Sequence, residues 1–385
     1  MGICQHFLQT LRSSINNNKS QQLYIQALEQ TNPNQYEPFS RKQNMITEQY
    51  KDTVFFSNLF ARHYPLEYKQ IKQILQQNHV RSGLLYNTAD YWCRDYMPVQ
   101  RYYNDFVQFK YFPDYLQGKE PYRTDSTPVI QSLKLNFHYN QSPLNIDGGN
   151  IVSCEQKQQE TSHVPKLKSD IIMTEKIFKE NPSFTRQQVM EELCKTFPDD
   201  DIILIPWDKE DICGHTDGIV HNIGDGKILA NLNLYPQAIA KEMRKRLEAR
   251  FDVVDLEISK YHENSWAYIN MLQTRDIIIV PGLGLPQDKE ALEQIRKLHP
   301  SYEDRIYQVN IATIIKEWGG GINCMTWTVS NEMSKLHHTN ELDKRFKVIV
   351  NHPNIHALSW EDISFAGNYQ PTLLPYELDK LYFGF

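Results

Sequence analysis

The sequence lacks the features that mark several common protein classes. Its six cysteines form no CxxC pair and show no cysteine and histidine spacing typical of a zinc site, which argues against a structural metal and a disulfide framework. No apolar run approaches the ~18 residues of a membrane-spanning helix, and no signal-peptide core is visible near the N-terminus. Basic residues are not in excess, since 41 Lys and Arg face 47 Asp and Glu, a net charge of −6. We therefore expect a protein of the reducing cytoplasm without a nucleic-acid or membrane partner.

A dinucleotide-binding fingerprint is also missing. Gly282–Leu283–Gly284 lacks the third glycine that a GxGxxG motif needs after a strand, which argues against a Rossmann-type sheet. The 385 residues, of which 40% are hydrophobic, are nevertheless sufficient for a substantial core in one large or two ordinary domains.

Predicted strands and helices alternate along most of the chain. An apolar strand at 53–59 precedes an amphipathic helix with Tyr68, Ile71 and Leu75 on one face. The pattern continues with strands at 82–86, 170–174, 201–206, 227–231, 253–258, 276–280 and 305–309, and with helices at 185–197, 236–250 and 289–298. Four or five modules of about 50 to 60 residues predict an α/β fold with internal repetition.

The two ends of the sequence differ from this pattern. Residues 1–50 are rich in Gln and Asn, with short helical patterns near 7–11 and 23–28, and we interpret them as an N-terminal extension. The main domain then comprises 51–385, including a C-terminal tail from about 336 in which 347–350 is predicted to form a strand.

Three consecutive glycines shortly precede Cys324. Gly319, Gly320 and Gly321 allow the backbone to approach a ligand closely. A thiol presented on such a segment can act as a nucleophile where its thiolate is favoured. The alternative is a small buried apolar residue after an ordinary loop.

Two acidic stretches are further candidates. In Trp92–Cys93–Arg94–Asp95 an acid follows an arginine among bulky neighbours; if the segment is extended, the two side chains point to opposite faces, and Asp95 is available for a ligand rather than paired with Arg94. Asp147–Gly148–Gly149–Asn150 fits a β-turn and a loop lining a site equally well.

A histidine and two other polar residues complete the set. His215 and Asp217 lie two residues apart, so on an extended segment they project from one face and could share a site in which the histidine transfers protons. A histidine hydrogen-bonded in a loop is the alternative. Asn270 could offer its amide to a site or cap a turn.

In this order the motifs resemble the agmatine deiminase and bacterial peptidylarginine deiminase family of the guanidine-modifying pentein superfamily. The family pattern is WxRDxxP, an acid-Gly-Gly-Asn, GHxD, Tyr-x-Asn and Gly-Gly-Gly-x-x-Cys-x-Thr, and the resemblance extends from about Thr53 to Thr326. It implies a five-bladed, pseudo-fivefold α/β propeller with the active site at its centre, without a metal or an organic cofactor.

The resemblance also implies residue roles. Cys324 matches the nucleophile, His215 the general acid and base, and Asp95 and Asp217 the carboxylates that hold the guanidinium. The further residues predicted to bind substrate are Asp147, Asn150, Asn270, Trp92 and Gly321. Asn323 replaces a histidine common in agmatine-type members, and Asp147 replaces the commoner glutamate.

The expected partner is a small cationic guanidino substrate. The leading hypothesis is hydrolysis of agmatine to N-carbamoylputrescine and ammonia. The alternatives are a peptidylarginine deiminase that makes citrulline and a non-catalytic guanidinium-binding protein. Recognition of a peptide-terminal carboxylate would need basic groups, for which Arg101, Lys119 and Arg123 are candidates. The oligomeric state is left open, a homodimer being one alternative.

Overall fold

A computed structural model describes residues 44–102, 105–133, 138–157 and 169–330 of the chain. Within these ranges the strands are β1 Thr53–Ser57, β2 Arg81–Leu85, β3 Val99–Tyr102, β4 Asp105–Lys110, β5 His138–Asn145, β6 Val152–Glu155, β7 Ser169–Thr174, β8 Asp201–Ile205, β9 Val220–Gly224, β10 Lys227–Ala230, β11 Asp252–Asp255, β12 Leu272–Gln273, β13 Ile278–Gly282, β14 Ile306–Asn310 and β15 Thr326–Val329. The α-helices are α1 Asn58–His63, α2 Pro65–Gln77, α3 Cys93–Tyr96, α4 Ser126–Ser132, α5 Lys176–Glu180, α6 Arg186–Thr196, α7 Gln237–Glu248, α8 Gln287–Leu298 and α9 Ala312–Trp318.

These strands form five three-stranded sheets with one common plan. Each middle strand pairs antiparallel with one neighbour and parallel with the strand that follows it in sequence. The orders are β15-β1-β2, β3-β4-β5, β6-β7-β8, β9-β10-β11 and β12-β13-β14. In the first of these sheets the antiparallel neighbour of β1 is β15. The repetition expected from the sequence is therefore present as a structural repeat.

The chain divides into two compact units. The described part of the first unit comprises 44–48, 98–102, 105–117, 138–157 and 169–269, and it contains the sheets of β4, β7 and β10. The second comprises 49–97, 118–133 and 270–330, with the sheets of β1 and β13.

The core of the first unit is formed by sheet residues and the helices that cover them. One cluster joins Val107, Ile171 and Leu193, and a second joins Ile172, Ile228 and Leu247. Met45 packs into the first cluster, and its backbone N–H donates to Asp200 Oδ1 at 3.0 Å. Residues 44–48 thus contribute to this core.

The core of the second unit is rich in aromatic side chains. Phe55 on β1 and Trp327 on β15 have ring centroids 5.3 Å apart, which packs the first and last described strands together within one sheet. Helix α2 starts with Pro65 and buries Ile71 and Leu75, as its apolar periodicity predicts.

The predicted elements agree best with the structure where apolar residues dominate. The predicted helix at 185–197 is α6, and its capping box forms as expected because Thr185 and Gln188 bond each other's backbone N–H groups. The whole β3-β4-β5 sheet was not predicted, because strands such as VQRY and HYNQSPLN carry no regular apolar alternation. The strand predicted at 347–350 and the helical patterns within 1–43 lie outside the described residues.

Four of the cysteines, Cys93, Cys154, Cys213 and Cys324, are free thiols. No helix within the described ranges is long and apolar enough to cross a membrane.

Candidate active site

The glycine-rich segment ends one helix and leads into a buried strand. Gly319 adopts a left-handed conformation with φ of 74° and closes α9 through its N–H bond to Ile315 O at 2.9 Å. Two turns follow, in which Met325 N–H donates to Gly321 O and Thr326 N–H to Asn323 O. Cys324 is thus fixed between a helix end and the fully buried strand β15.

Asn270 holds Cys324 through its side-chain oxygen. Asn270 Oδ1 accepts from the Cys324 backbone N–H at 3.2 Å and from the thiol Sγ at 3.3 Å. The backbone oxygen of Asn270 also accepts from Asn323 N–H at 3.1 Å. Because Asn270 is 1% and Cys324 7% exposed, these contacts set the orientation of the S–H bond inside the protein. Asn270 therefore contacts Cys324, and its predicted role in binding a substrate stays a prediction.

Neighbouring side chains leave no room for a Cβ atom at Gly320 or Gly321. A Cβ atom at Gly321 would lie 2.4 Å from Asn270 Oδ1, and one at Gly320 would lie 2.0 Å from the Trp92 ring. The backbone of the two glycines therefore lies close to Trp92 and Asn270, where a close approach to a ligand was expected. These contacts do not test substrate binding by Gly321, which stays a prediction.

We expect Gly321→Ala to lower the free energy of unfolding by about 1 to 3 kcal/mol, because an added methyl group must displace the buried Asn270 side chain. Thermal or urea unfolding measures this. Gly319→Asn is the matched control, since no atom lies within 4 Å of a Cβ there and asparagine tolerates the left-handed conformation. Equal stability of Gly321→Ala and the parent would contradict the tight contact.

The Trp92 segment is helical rather than extended. Asp95 lies in the single helical turn α3, and its backbone N–H donates to the backbone oxygen of Trp92. The expectation of an extended segment is therefore wrong. Asp95 is nevertheless 7% exposed. Arg94 directs its guanidinium to Asn323 Oδ1 at 2.8 Å and Thr328 Oγ1 at 3.1 Å. Arg94 and Asn323 therefore connect α3 to the Cys324 segment.

The segment before His215 is also turned rather than extended. Gly214 has φ of +59°, and His215 precedes the 3-10 turn Thr216–Gly218, which contains Asp217. Contrary to the prediction, His215 and Asp217 therefore do not lie on one face of an extended segment. Asp217 is 6% exposed.

His215 forms a buried pair with Asp147. His215 Nε2 lies 3.0 Å from Asp147 Oδ2, with the side chains 12% and 7% exposed. Tyr115 OH donates to the same carboxylate oxygen at 2.8 Å. Because a carboxylate accepts a hydrogen bond from a ring N–H, this contact favours the His215 tautomer that carries its proton on Nε2.

Asn150 links this pair to the sheet. The turn from Asp147 closes through Asn150 N–H to Asp147 O at 2.9 Å, and Asn150 Oδ1 accepts from Thr174 N–H and Thr216 Oγ1, each at 2.8 Å. Asp147, Asn150 and His215 line one small pocket. The turn considered from the sequence is therefore present, and the binding of substrate by Asp147 and Asn150 stays a prediction.

The predicted site residues form two groups, one in each unit. Trp92, Asp95, Asn270, Gly321 and Cys324 belong to the second unit, and Asp147, Asn150, His215 and Asp217 to the first. Sequence reasoning missed Tyr115 and Lys176, which contact the His215 group. No motif marks either residue, although a buried lysine two positions after the end of the buried strand β7 is unusual.

Two further observations concern possible ligands. Within the described ranges no group of three or more His, Cys, Asp and Glu side chains is arranged to hold a metal ion. Arg101 donates to Asp105 Oδ1 at 2.6 Å and to Thr196 O at 2.5 Å, so its guanidinium is engaged inside the first unit.

Comparison with solved structures identifies the fold class. An agmatine deiminase from C. jejuni matches with a TM-score of 0.57 and 16% identity over 74% of this chain and 95% of that one. Agmatine deiminase of Enterococcus faecalis matches with a TM-score of 0.53 and 16% identity over 74% and 95%. No curated protein matches the sequence. The five repeated sheets and this likeness confirm the predicted five-bladed α/β propeller of the pentein type.

A match to a family profile identifies the protein family. The profile of the Porphyromonas-type peptidyl-arginine deiminases matches residues 46–329, well over half of the 385 residues. The chain belongs to this family of guanidine-modifying proteins, which confirms the resemblance found in the motifs.

Proposed function

We propose that the chain is a guanidine deiminase in which Cys324, His215, Asp95 and Asp217 act on one guanidinium group. The observation that carries the proposal is that the family match spans all four residues. Three of them, Cys324, Asp95 and Asp217, are buried. A guanidinium is planar and permanently charged, and its paired N–H donors match the two oxygens of a carboxylate.

The reaction follows from the residue types. Two carboxylates hold the planar guanidinium by charge-assisted hydrogen bonds, which presents its central carbon to Cys324. The thiolate attacks this carbon, and the tetrahedral adduct releases ammonia after His215 protonates the leaving nitrogen. Water activated by His215 then attacks the thiouronium carbon, the C–S bond breaks, and a ureido product and the thiol form.

Asp147 has a different role in this proposal from the one first predicted. Its Oδ2 already lies against His215 Nε2 and Tyr115 OH. We therefore propose that Asp147 orients His215 and stabilises its charged form during proton transfer, rather than binding the guanidinium directly.

A related structure is consistent with the nucleophile assignment. A cysteine-to-serine variant of the C. jejuni agmatine deiminase was solved with substrate bound, and it matches this chain with a TM-score of 0.56 and 14% identity over 74% of this chain and 96% of that one. Replacement of the nucleophile by serine is a common way to retain a substrate, because the hydroxyl is the weaker nucleophile.

Agmatine is the proposed substrate. The two similar proteins named above are agmatine deiminases. The net charge of −6 favours a cation, and Arg101, one candidate for binding a substrate carboxylate, is engaged with Asp105. Peptidylarginine is the alternative, because the matching profile is that of the Porphyromonas-type peptidyl-arginine deiminases. A non-catalytic guanidinium binder is less well supported, because binding alone does not need the Cys324 thiol.

A steady-state assay of ureido formation with agmatine, free arginine and an arginine-terminated peptide tests the substrate. We expect kcat/KM for agmatine to exceed that for the other two by at least about 100-fold, because a desolvated like charge at the far end of the substrate costs several kcal/mol. Lys119→Gln and Arg123→Gln should leave agmatine turnover nearly unchanged. A higher kcat/KM on the peptide, lost in either variant, would establish the peptidylarginine alternative, and no turnover of any substrate would reject the enzyme.

A further inference from the structure

A buried lysine lies beneath the His215 segment. Lys176, the first residue of α5, is 2% exposed, and its Nζ donates to the backbone oxygen of Ile212 at 2.5 Å. The same ammonium lies 2.9 Å from Glu180 Oε1 and 3.1 Å from Asp114 Oδ1. Burial alone would lower the pKa of Lys176, but these two carboxylates outweigh the burial and raise it. The ammonium is therefore a permanent charge inside the first unit.

The lysine side chain also supports the backbone that carries His215. A Cβ at Gly214 would lie 2.9 Å from Lys176 Cδ, so the backbone next to His215 rests directly on the lysine stem. Thr174 Oγ1 donates to Gly214 O at 2.6 Å. Bonds to the oxygens of Ile212 and Gly214 thus fix the chain immediately before His215.

Tyr115 connects the same lysine to Asp147. Lys176 Nζ lies 4.9 Å from the centroid of the Tyr115 ring, within the range of a cation–π contact. The hydroxyl of that ring donates to Asp147 Oδ2, the oxygen that faces His215 Nε2. Lys176 therefore contacts both the backbone that precedes His215 and the tyrosine that is hydrogen-bonded to Asp147.

We propose that Lys176 and Tyr115 are positioning residues that hold the His215–Asp147 pair in the geometry that proton transfer requires. The proposal rests on the proposed function for its kinetic consequence, but the geometry of the pair can be measured without turnover. A displacement of about 1 Å at a catalytic group can lower the rate on the order of 100-fold.

Lys176→Met and Tyr115→Phe test the proposal, with Lys179→Met as the matched control. Lys179 is on the same helix and also pairs with Asp114, at 2.5 Å, but is 55% exposed. Tyr115→Phe keeps the ring over Lys176 and removes only the hydroxyl bonded to Asp147, so it remains informative if Lys176→Met does not fold. Two quantities are measured: the ring ¹⁵N signals of His215, identified by their absence in His215→Gln, and kcat and KM on agmatine.

We expect the parent and Lys179→Met to show a single tautomer with the proton on Nε2, and both test variants to show a mixture. The kcat of the test variants should fall about 10- to 100-fold with little change in KM, because neither residue is proposed to bind the substrate. A parental ring signal in Tyr115→Phe, or in a folded Lys176→Met, overturns the proposal. If the parent turns over no guanidino substrate while both variants change the tautomer, the proposed function fails and the positioning role stands.

Discussion

Replacing Cys324 by serine is expected to lower turnover by about 10⁴-fold or more while the protein remains folded. Serine is similar in size, and its hydroxyl can still donate to Asn270 Oδ1, which the thiol approaches at 3.3 Å. The hydroxyl is far less acidic than the thiol, so the attacking anion is lost. Ureido formation and thermal unfolding, measured on the same preparation, separate activity from stability.

Cys154→Ala is the control for this variant. Cys154 lies in β6 with no exposed surface, and burial raises the pKa of its thiol far above the usual value. We expect Cys154→Ala to keep its activity, with a loss of stability on the order of 1 kcal/mol. Retention of most activity by Cys324→Ser, or loss of its folded state, would contradict the assignment of the nucleophile.

Replacing His215 by glutamine is expected to lower kcat by about 10²- to 10⁴-fold, the usual contribution of a general acid and base. Glutamine can still donate a hydrogen bond to Asp147 Oδ2, which lies 3.0 Å from Nε2 in the parent, so local structure should persist. KM should change little, because His215 is proposed to transfer protons and not to hold the guanidinium. Steady-state kinetics on agmatine measure both parameters.

Asp217→Asn provides the contrast with His215→Gln. The amide keeps the shape of the side chain but removes a charge proposed to hold the guanidinium, so KM should rise and kcat should fall together. Substrate binding by Asp217→Asn as tight as in the parent would assign Asp217 a structural role. A large rise in KM for His215→Gln would likewise argue against its separate role in proton transfer.

Apolar periodicity predicted many of the elements, and the motif order predicted the family. Helix α2 and helix α6 with its capping box formed where their patterns placed them. Polar strands such as β3 and β5 escaped detection, because hydrogen bonds to the middle strand β4 stabilise them and no local apolar pattern does.

The local conformation of the candidate site was less predictable. Asp95 and Asp217 were expected on extended segments, yet they lie in a single helical turn and in a 3-10 turn. Such short turns have little intrinsic stability. They are held by distant partners, as in the bonds from Arg94 to Asn323 and from Thr216 to Asn150.

The sequence by itself determined which residue types carry the chemistry and in what order they occur. Only the tertiary structure decided their partners: His215 meets Asp147 across 68 positions, and Cys324 meets Asn270 across 54. The same holds for Lys176, whose burial no composition rule predicts. Its charge is tolerated because Glu180, one helical turn further along α5, and the distant Asp114 and Ile212 oxygen meet at one ammonium. The two distant contacts leave no periodic signal in the sequence.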